Sequence, residues 1–255
     1  MANDSSAPDE NTGERIAKFL ARAGVASRRE AEKLIEQGVV TVDGVTLTTP
    51  AFKVTPEMDI RVDGTRVGKP DAPRLWRFHK PDGLVTTHKD PQGRRTVFEM
   101  LQGQLPRVIS VGRLDLTTEG LLLLTNSGDL SRRLELPSTG WTRRYRVRAY
   151  GRVDQKALDN LADGIEIDGV QYGPIRARLD QTQGGNQWIT VSINEGKNRE
   201  IRNVCRHLGL QVNRLIRTAY GPFQLGKLAK GAFEEVPGKQ LKEQLGRKIC
   251  EEVGL

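Results

Sequence analysis

The spacing of apolar and polar positions along the chain changes period as it proceeds. From Glu14 onward, Ile16, Phe19, Leu20 and Ala23 recur at helical spacing, with Arg15, Lys18 and Arg22 together on another face, and Gly24 stops the run. Ser27-Arg28-Arg29-Glu30 has the form of a capping box, in which the serine oxygen accepts from a first-turn amide and the glutamate reaches back to the cap amide. Ala31, Leu34 and Ile35 continue this second helix, and Gly38 closes it. The period then falls to two. Val39 to Val42 and Val45 to Leu47 flank Asp43-Gly44, a dipeptide that tight hairpins prefer, and Ile60 to Val62 precede a second Asp-Gly at 63–64.

After the Gly- and Pro-rich stretch 68–73, strand patterns dominate: Leu75 to Phe78, Leu84 to Thr87, Val108 to Val111, Leu121 to Thr125, Trp141 to Tyr150, Ile175 to Leu179, Trp188 to Ile193 and Asn213 to Ala219. Two helices interrupt them, one capped by Asp154 and running to about Asp163, the other covering about Lys197 to Leu208. Many strands with few helices and no regular strand–helix–strand repeat predict an α+β fold. A small helix–helix–hairpin domain (14–67) is followed by a linker (68–73) and a larger domain (74–237) with a central mixed or antiparallel sheet. Residues 1–13, polar and acidic, read as a disordered tail, and 238–255 as a charged C-terminal helix or tail.

Charge sharpens this picture. Forty basic against 32 acidic residues leave a net charge of +8, which favours a polyanionic partner, either nucleic acid or an anionic membrane surface. No apolar stretch approaches the ~20 residues of a spanning helix. Two cysteines, Cys205 and Cys250, are too few for a disulfide framework, and His79, His88 and His207 lack metal-ligand spacing. With no Walker loop and no dinucleotide fingerprint, the expectation is a cytoplasmic, nucleic-acid-facing protein that uses no metal or cofactor.

The most informative run is Gly-Arg-Leu-Asp-Leu-Thr-Thr-Glu-Gly-Leu-Leu-Leu-Leu-Thr-Asn at 112–126. Four consecutive leucines bounded by turn residues have the form of a fully buried strand, so Arg113 and Asp115 sit where the chain leaves one buried element and enters another. Charges at such an edge are either paired for structure or placed for chemistry. On the strand Arg144 to Tyr150, alternation puts Tyr145, Val147 and Ala149 on one face and Arg144, Arg146 and Arg148 on the other.

Ile-Ala-Lys-Phe-Leu-Ala-Arg-Ala-Gly-Val-Ala-Ser-Arg-Arg-Glu-Ala-Glu-Lys-Leu-Ile followed by Gly-Val-Val-Thr-Val-Asp-Gly resembles the RNA-binding module named after ribosomal protein S-four. The resemblance implies phosphate contacts from Arg15, Lys18, Arg22, Arg28 and Arg29 to structured RNA. The 112–126 run resembles the catalytic motif of pseudouridine synthases of the RsuA/RluB type. His79-Lys80-Pro81-Asp82-Gly83, Arg144-Tyr145-Arg146-Val147 and Glu195-Gly196-Lys197-Asn198-Arg199-Glu200-Ile201-Arg202 resemble that family's flanking motifs, in the same order. His79, Ser127 and Glu200 depart from the commonest spelling.

That resemblance implies isomerisation of uridine to pseudouridine: the ribose–nitrogen bond breaks, the uracil turns and a ring carbon rejoins the sugar. A carboxylate, Asp115, would act as nucleophile or as base. An ionised carboxylate in a partly buried pocket is stabilised by a nearby cation, and Arg202 is the candidate, with Arg199 and Arg206 read as facing RNA or solvent. Tyr145 would stack on the uracil, Arg113 would fill the gap left by a flipped nucleotide, and Lys80 and Ile201 would border the substrate. Arg214 and Arg217 would extend a phosphate-tracking strand. The implied partner is ribosomal RNA, with 23S rRNA or large-subunit assembly intermediates favoured. The alternatives are a 16S rRNA enzyme and a non-catalytic rRNA-binding or assembly protein.

Overall fold

The computed structural model describes residues 13–255, so the expectation for the N-terminal tail lies outside the described residues except at Gly13. The chain divides between Ala72 and Pro73 into two compact units.

In the first unit, helices Ile16–Arg22 and Arg28–Glu36 pack on a four-stranded antiparallel sheet ordered Val45–Thr46, Val40–Val42, Ile60–Val62, Thr65–Arg66. Ile16, Leu20, Ala31, Ile35 and Val40 are completely buried between them. The capping box at Ser27 and Glu30 forms in both directions, at 3.1 and 2.7 Å. Asp43-Gly44 and Asp63-Gly64 make the two hairpin turns with all four residues at positive φ, the conformation that matches the twist of paired strands. Arg15 departs from expectation. It lies in a short strand, Glu14–Arg15, paired with Lys53–Val54, because the helix begins only at Ile16.

The second unit is built on a nine-stranded mixed sheet. Its main path runs Ile175–Gln183, Asn186–Ile193, Arg143–Tyr150, Gln211–Tyr220, Thr118–Thr125, Leu75–Lys80, Phe233–Glu235. All neighbours are antiparallel except Gln211–Tyr220 and Thr118–Thr125 at the centre, which run parallel. Every residue of Thr118–Thr125 is buried. Leu122 and Leu124 join Trp76, Phe78 and the helix residues Leu158, Ile201 and Val204, whereas Leu121 and Leu123 join Leu130, Leu134, Leu241, Leu245 and Ile249. A strand covered on both faces needs a continuous apolar run, and each leucine withdrawn from water contributes about 1.5–3 kcal/mol.

Several elements differ from the sequence pattern. Leu84 to Thr87 is no strand; only Val85 makes a single parallel bridge, to Thr96, while the Thr86 hydroxyl is used to hold Leu114. Two helices were not anticipated, Val97–Met100 behind a Thr96–Glu99 capping box and Gly128–Glu135 capped by Ser127. The C-terminal helix Gly238–Val253 is more than a charged extension. Leu241, Leu245, Ile249 and Cys250 are buried and close one face of the sheet. Among the described residues no helix is long and apolar enough to cross a membrane.

Candidate active site

The strand Ile109–Val111 pairs antiparallel with the end of Thr118–Thr125, so residues 112–117 form the connection between two sheet neighbours. This turn is held almost entirely through its backbone. The Thr118 amide donates to the Asp115 carbonyl at 3.0 Å, and the Gly83 amide donates to Leu116 at 2.8 Å. The Thr86 hydroxyl donates to the Leu114 carbonyl at 2.9 Å. With Leu114 buried as an anchor, Arg113 and Asp115 on either side of it face outward.

Lys80 completes the clamp and is the clearest correction to the sequence reading. Its side chain is fully buried and does not line the cleft. The ammonium donates to the carbonyls of Pro81, Thr118 and Leu116 at 2.9, 3.0 and 3.4 Å. Burial lowers its pKa to about 8, a shift opposed by the carboxylates of Asp82, Asp115 and Glu119. Trp76, Phe78 and Lys80 share one face of their strand, so alternation alone signalled that Lys80 points inward.

Asp115 opens into a cleft of about 1100 Å³ that Arg113, Tyr145, Arg199, Ile201 and Arg202 also line. The Asp115 side chain is 38% exposed, and its nearest cation is Arg199, with Nη1 at 3.6 Å from Oδ2. Arg202 instead donates from Nη2 to the Thr117 carbonyl at 3.0 Å and tethers the turn next to the aspartate. Arg202 still feels the charge of Asp115, although burial and then repulsion from Arg199 lower its proton affinity. The pairing expected of Arg202 therefore falls to Arg199. Arg199 precedes the helix Glu200–His207 in a left-handed conformation, φ 49°, which aims its side chain back at the turn. No local pattern announces that conformation in a residue other than glycine.

Tyr145 is 8% exposed and Ile201 5%, each presenting a narrow apolar rim to the cleft. Arg113 is exposed at the cleft and makes no ion pair among the described residues. Three further arginines line the cleft, Arg94, Arg143 and Arg217. Arg143 donates to the Tyr220 hydroxyl at 3.1 Å, and Arg217, 2% exposed, donates from Nε to the Leu121 carbonyl at 2.7 Å. Arg217 is thus no surface phosphate contact. Arg214 is also committed, in a two-point bond to Glu119 at 2.7 and 3.1 Å.

Glu200 is buried beside Glu195, and desolvation followed by the neighbouring charge raises its pKa to about 7. It accepts from the Lys197 amide at 3.0 Å and so braces the loop that carries Arg199.

In the N-terminal unit, Arg28 and Arg29 are exposed in the first turn of their helix. Cations there oppose the helix dipole, an arrangement relieved when an anion is bound. Lys18 and Arg22 lie on the first helix, and Arg22 is paired with Glu14 at 2.7 Å.

A cleft rich in arginine, with the Asp115 carboxylate presented on a clamped turn, in a chain that also carries a separate helix–hairpin unit, is what an enzyme that works on RNA requires. Residues 74–207 match the RNA pseudouridylate synthase family and residues 14–60 the S4 domain; the chain belongs to the RNA pseudouridylate synthase family. It is 51% identical over 230 residues, 90% of this chain and 100% of the relative, to an uncharacterized RNA pseudouridine synthase of Rickettsia felis. Identity is 42% over 233 residues, 88% of this chain and 79% of the relative, to ribosomal large subunit pseudouridine synthase B of Salmonella typhi. A crystal structure of a pseudouridylate synthase superposes with a TM-score of 0.63 at 25% identity, covering 92% of this chain and all of the other.

Proposed function

We propose that this protein isomerises a specific uridine in 23S ribosomal RNA of the large subunit, in the cytoplasm, with Asp115 as the catalytic carboxylate. The observation that carries the reading is the clamped turn. Three backbone attachments and the Lys80 ammonium hold Asp115 at the cleft, with its partly exposed carboxylate facing Arg199 at 3.6 Å and open to a ligand. Such preorganisation spares the site a reorganisation cost during reaction.

In this reading the uridine leaves its stack and enters the cleft, with Arg113 at the mouth filling the vacated space. The uracil lies against the ring of Tyr145 and the aliphatic edge of Ile201. Asp115 then either attacks the anomeric carbon as uracil departs or removes a proton from the neighbouring ribose carbon. Both routes break the bond from ring nitrogen to ribose, join ring carbon 5 to the sugar and release the carbon 5 proton to water. Arg199 faces the carboxylate before substrate arrives and is available to the departing uracil's negative charge.

The 42% identity to a large-subunit enzyme supports the 23S assignment. Ribosomal RNA carrying tritium at uracil carbon 5 tests the chemistry. Wild-type protein should release label to water, whereas Asp115→Asn should release none and keep RNA affinity within a few-fold, because phosphate contacts dominate binding. Turnover by the Asn variant, checked for deamidation, would refute the role of Asp115. Mapping pseudouridine in a deletion strain tests the substrate. A loss confined to 16S rRNA would overturn the 23S assignment and leave the reaction intact.

A further inference from the structure

The strands Ile175–Gln183, Asn186–Ile193 and Arg143–Tyr150 bury one face only. Helix residues Leu158, Leu161 and Val204 pack against Ile175, Val147 and Val191 on the side that also carries Tyr145. The opposite face has no buried hydrophobic residue. Strand register aligns its side chains in ranks: Arg144, Ser192 and Arg176 in one, Arg146, Thr190 and Arg178 in the next, and Arg148 beside Trp188 in the third. Successive ranks are about 7 Å apart along the strands and neighbouring strands about 5 Å apart, so the guanidinium groups form a compact array.

The charge of this array is unbalanced. Asp180 is the carboxylate among these ranks, and Arg178 at 2.9 Å and the Thr190 hydroxyl at 2.6 Å already occupy it. Among the described residues, Arg144, Arg146, Arg148 and Arg176 make no ion pair, and all but Arg148 are exposed. Arg146 lies over the Trp188 ring at 4.6 Å, and Tyr150, at the end of the same face, is 58% exposed. Like charges gathered on one sheet face oppose folding, and a polyanion relieves that repulsion. Planar cations and exposed aromatic rings together suit phosphates and unpaired bases.

We propose that this uncovered sheet face is a second RNA-binding surface, holding a segment of the substrate RNA remote from the target uridine, on the far side of the sheet from the cleft. The inference rests on the reading of the chain as an rRNA-modifying enzyme. RNA reaching both faces would have to pass around the sheet edge, so long substrates should use this surface and a minimal stem-loop should not.

The test is a variant carrying Arg144→Gln, Arg146→Gln, Arg148→Gln and Arg176→Gln, with the matching four-lysine variant as control. On a long 23S rRNA fragment, the slope of log affinity against log salt should shrink by about 3 in the Gln variant, at about 0.7 for each single-strand phosphate that is no longer neutralised. The lysine variant should keep the wild-type slope. On a short stem-loop at saturation, kcat should be unchanged in both. An unchanged slope in a Gln variant whose thermal melt matches wild type overturns the proposal, as would equal weakening on the short stem-loop. A partner other than RNA at this face would leave naked-RNA binding intact and so give that same refuting result. Should the fourfold variant not fold, Arg144→Gln with Arg176→Gln is read alone, with an expected slope change of about 1.4. The slope is measured without any turnover, so loss of the catalytic reading would appear separately as absent tritium release from wild type.

Discussion

Replacing Lys80 with methionine nearly keeps the volume of the buried side chain and removes its ammonium. At neutral pH two effects oppose. The folded state binds the Lys80 proton less tightly than the ordinary value of 10.5, at about 8, and that burial cost amounts to about 3 kcal/mol, which the variant escapes. It also loses three hydrogen bonds from a charged donor, each worth about 1.5–3 kcal/mol, although the Leu116 carbonyl keeps the Gly83 amide. The bonds win, and Lys80→Met should destabilise the second unit by about 2–5 kcal/mol at pH 7.

The pH dependence has a definite sign. Below pH 8 both folded and unfolded chains hold the proton, and the wild type carries the full burial cost. Between about 8 and 10.5 the folded chain releases it first, so wild-type stability rises relative to the variant by up to about 3 kcal/mol. Urea unfolding of both proteins from pH 7 to 10.5 measures the gap, in which other titrations cancel. Because Leu116 and Thr118 follow Asp115 in the same clamped turn, kcat in the tritium assay should fall while RNA affinity holds. A variant as stable and as active as wild type at pH 7, or a gap that narrows as pH rises, would refute this account of the clamp.

Two other positions probe the surroundings. Gly120→Ala would place a Cβ 2.3 Å from the Arg217 carbonyl oxygen at φ +102°, so it should cost more than about 3 kcal/mol or prevent folding. Gly112→Ala meets nothing within 4 Å and should cost only about 1 kcal/mol for its left-handed φ, and urea midpoints separate the two. Glu200 binds its proton more tightly when folded, with a pKa of about 7, so wild-type stability should fall between pH 4.5 and 7. Glu200→Gln should therefore match wild type near pH 4.5 and exceed it by about 2–3 kcal/mol at pH 8, read as thermal midpoints; equal midpoints at pH 8 would contradict the burial argument.

Much of the fold was legible because local signals agreed with the tertiary result. The four leucines, the Asp-Gly turns and the Ser27 capping box each specify one conformation. The short helices at Val97–Met100 and Gly128–Glu135 were missed although Thr96, Glu99 and Ser127 carry capping signals, because each is too brief to show an apolar period. The site was legible in its residues and less so in its wiring. Asp115, Tyr145, Arg113, Ile201 and Arg202 line one cleft. That Arg199 rather than Arg202 approaches the carboxylate depends on a strained φ, and that Arg217 turns inward depends on irregular register between Arg144 and Tyr145. Neither feature has a signature in a single sequence.

Arg77 and Glu234 lie 157 positions apart yet sit on neighbouring strands, and the terminal helix covers leucines from the strand that follows Asp115. A nascent chain emerging from the ribosome therefore displays the leucine-rich centre of its catalytic unit long before the segment that shields it exists. The N-terminal unit needs no residue beyond Ala72 to close its core. Synthesis thus orders the two halves in time: the RNA anchor matures first, and catalysis waits for the last helix, so a protein truncated near its end would still grip RNA without being able to modify it.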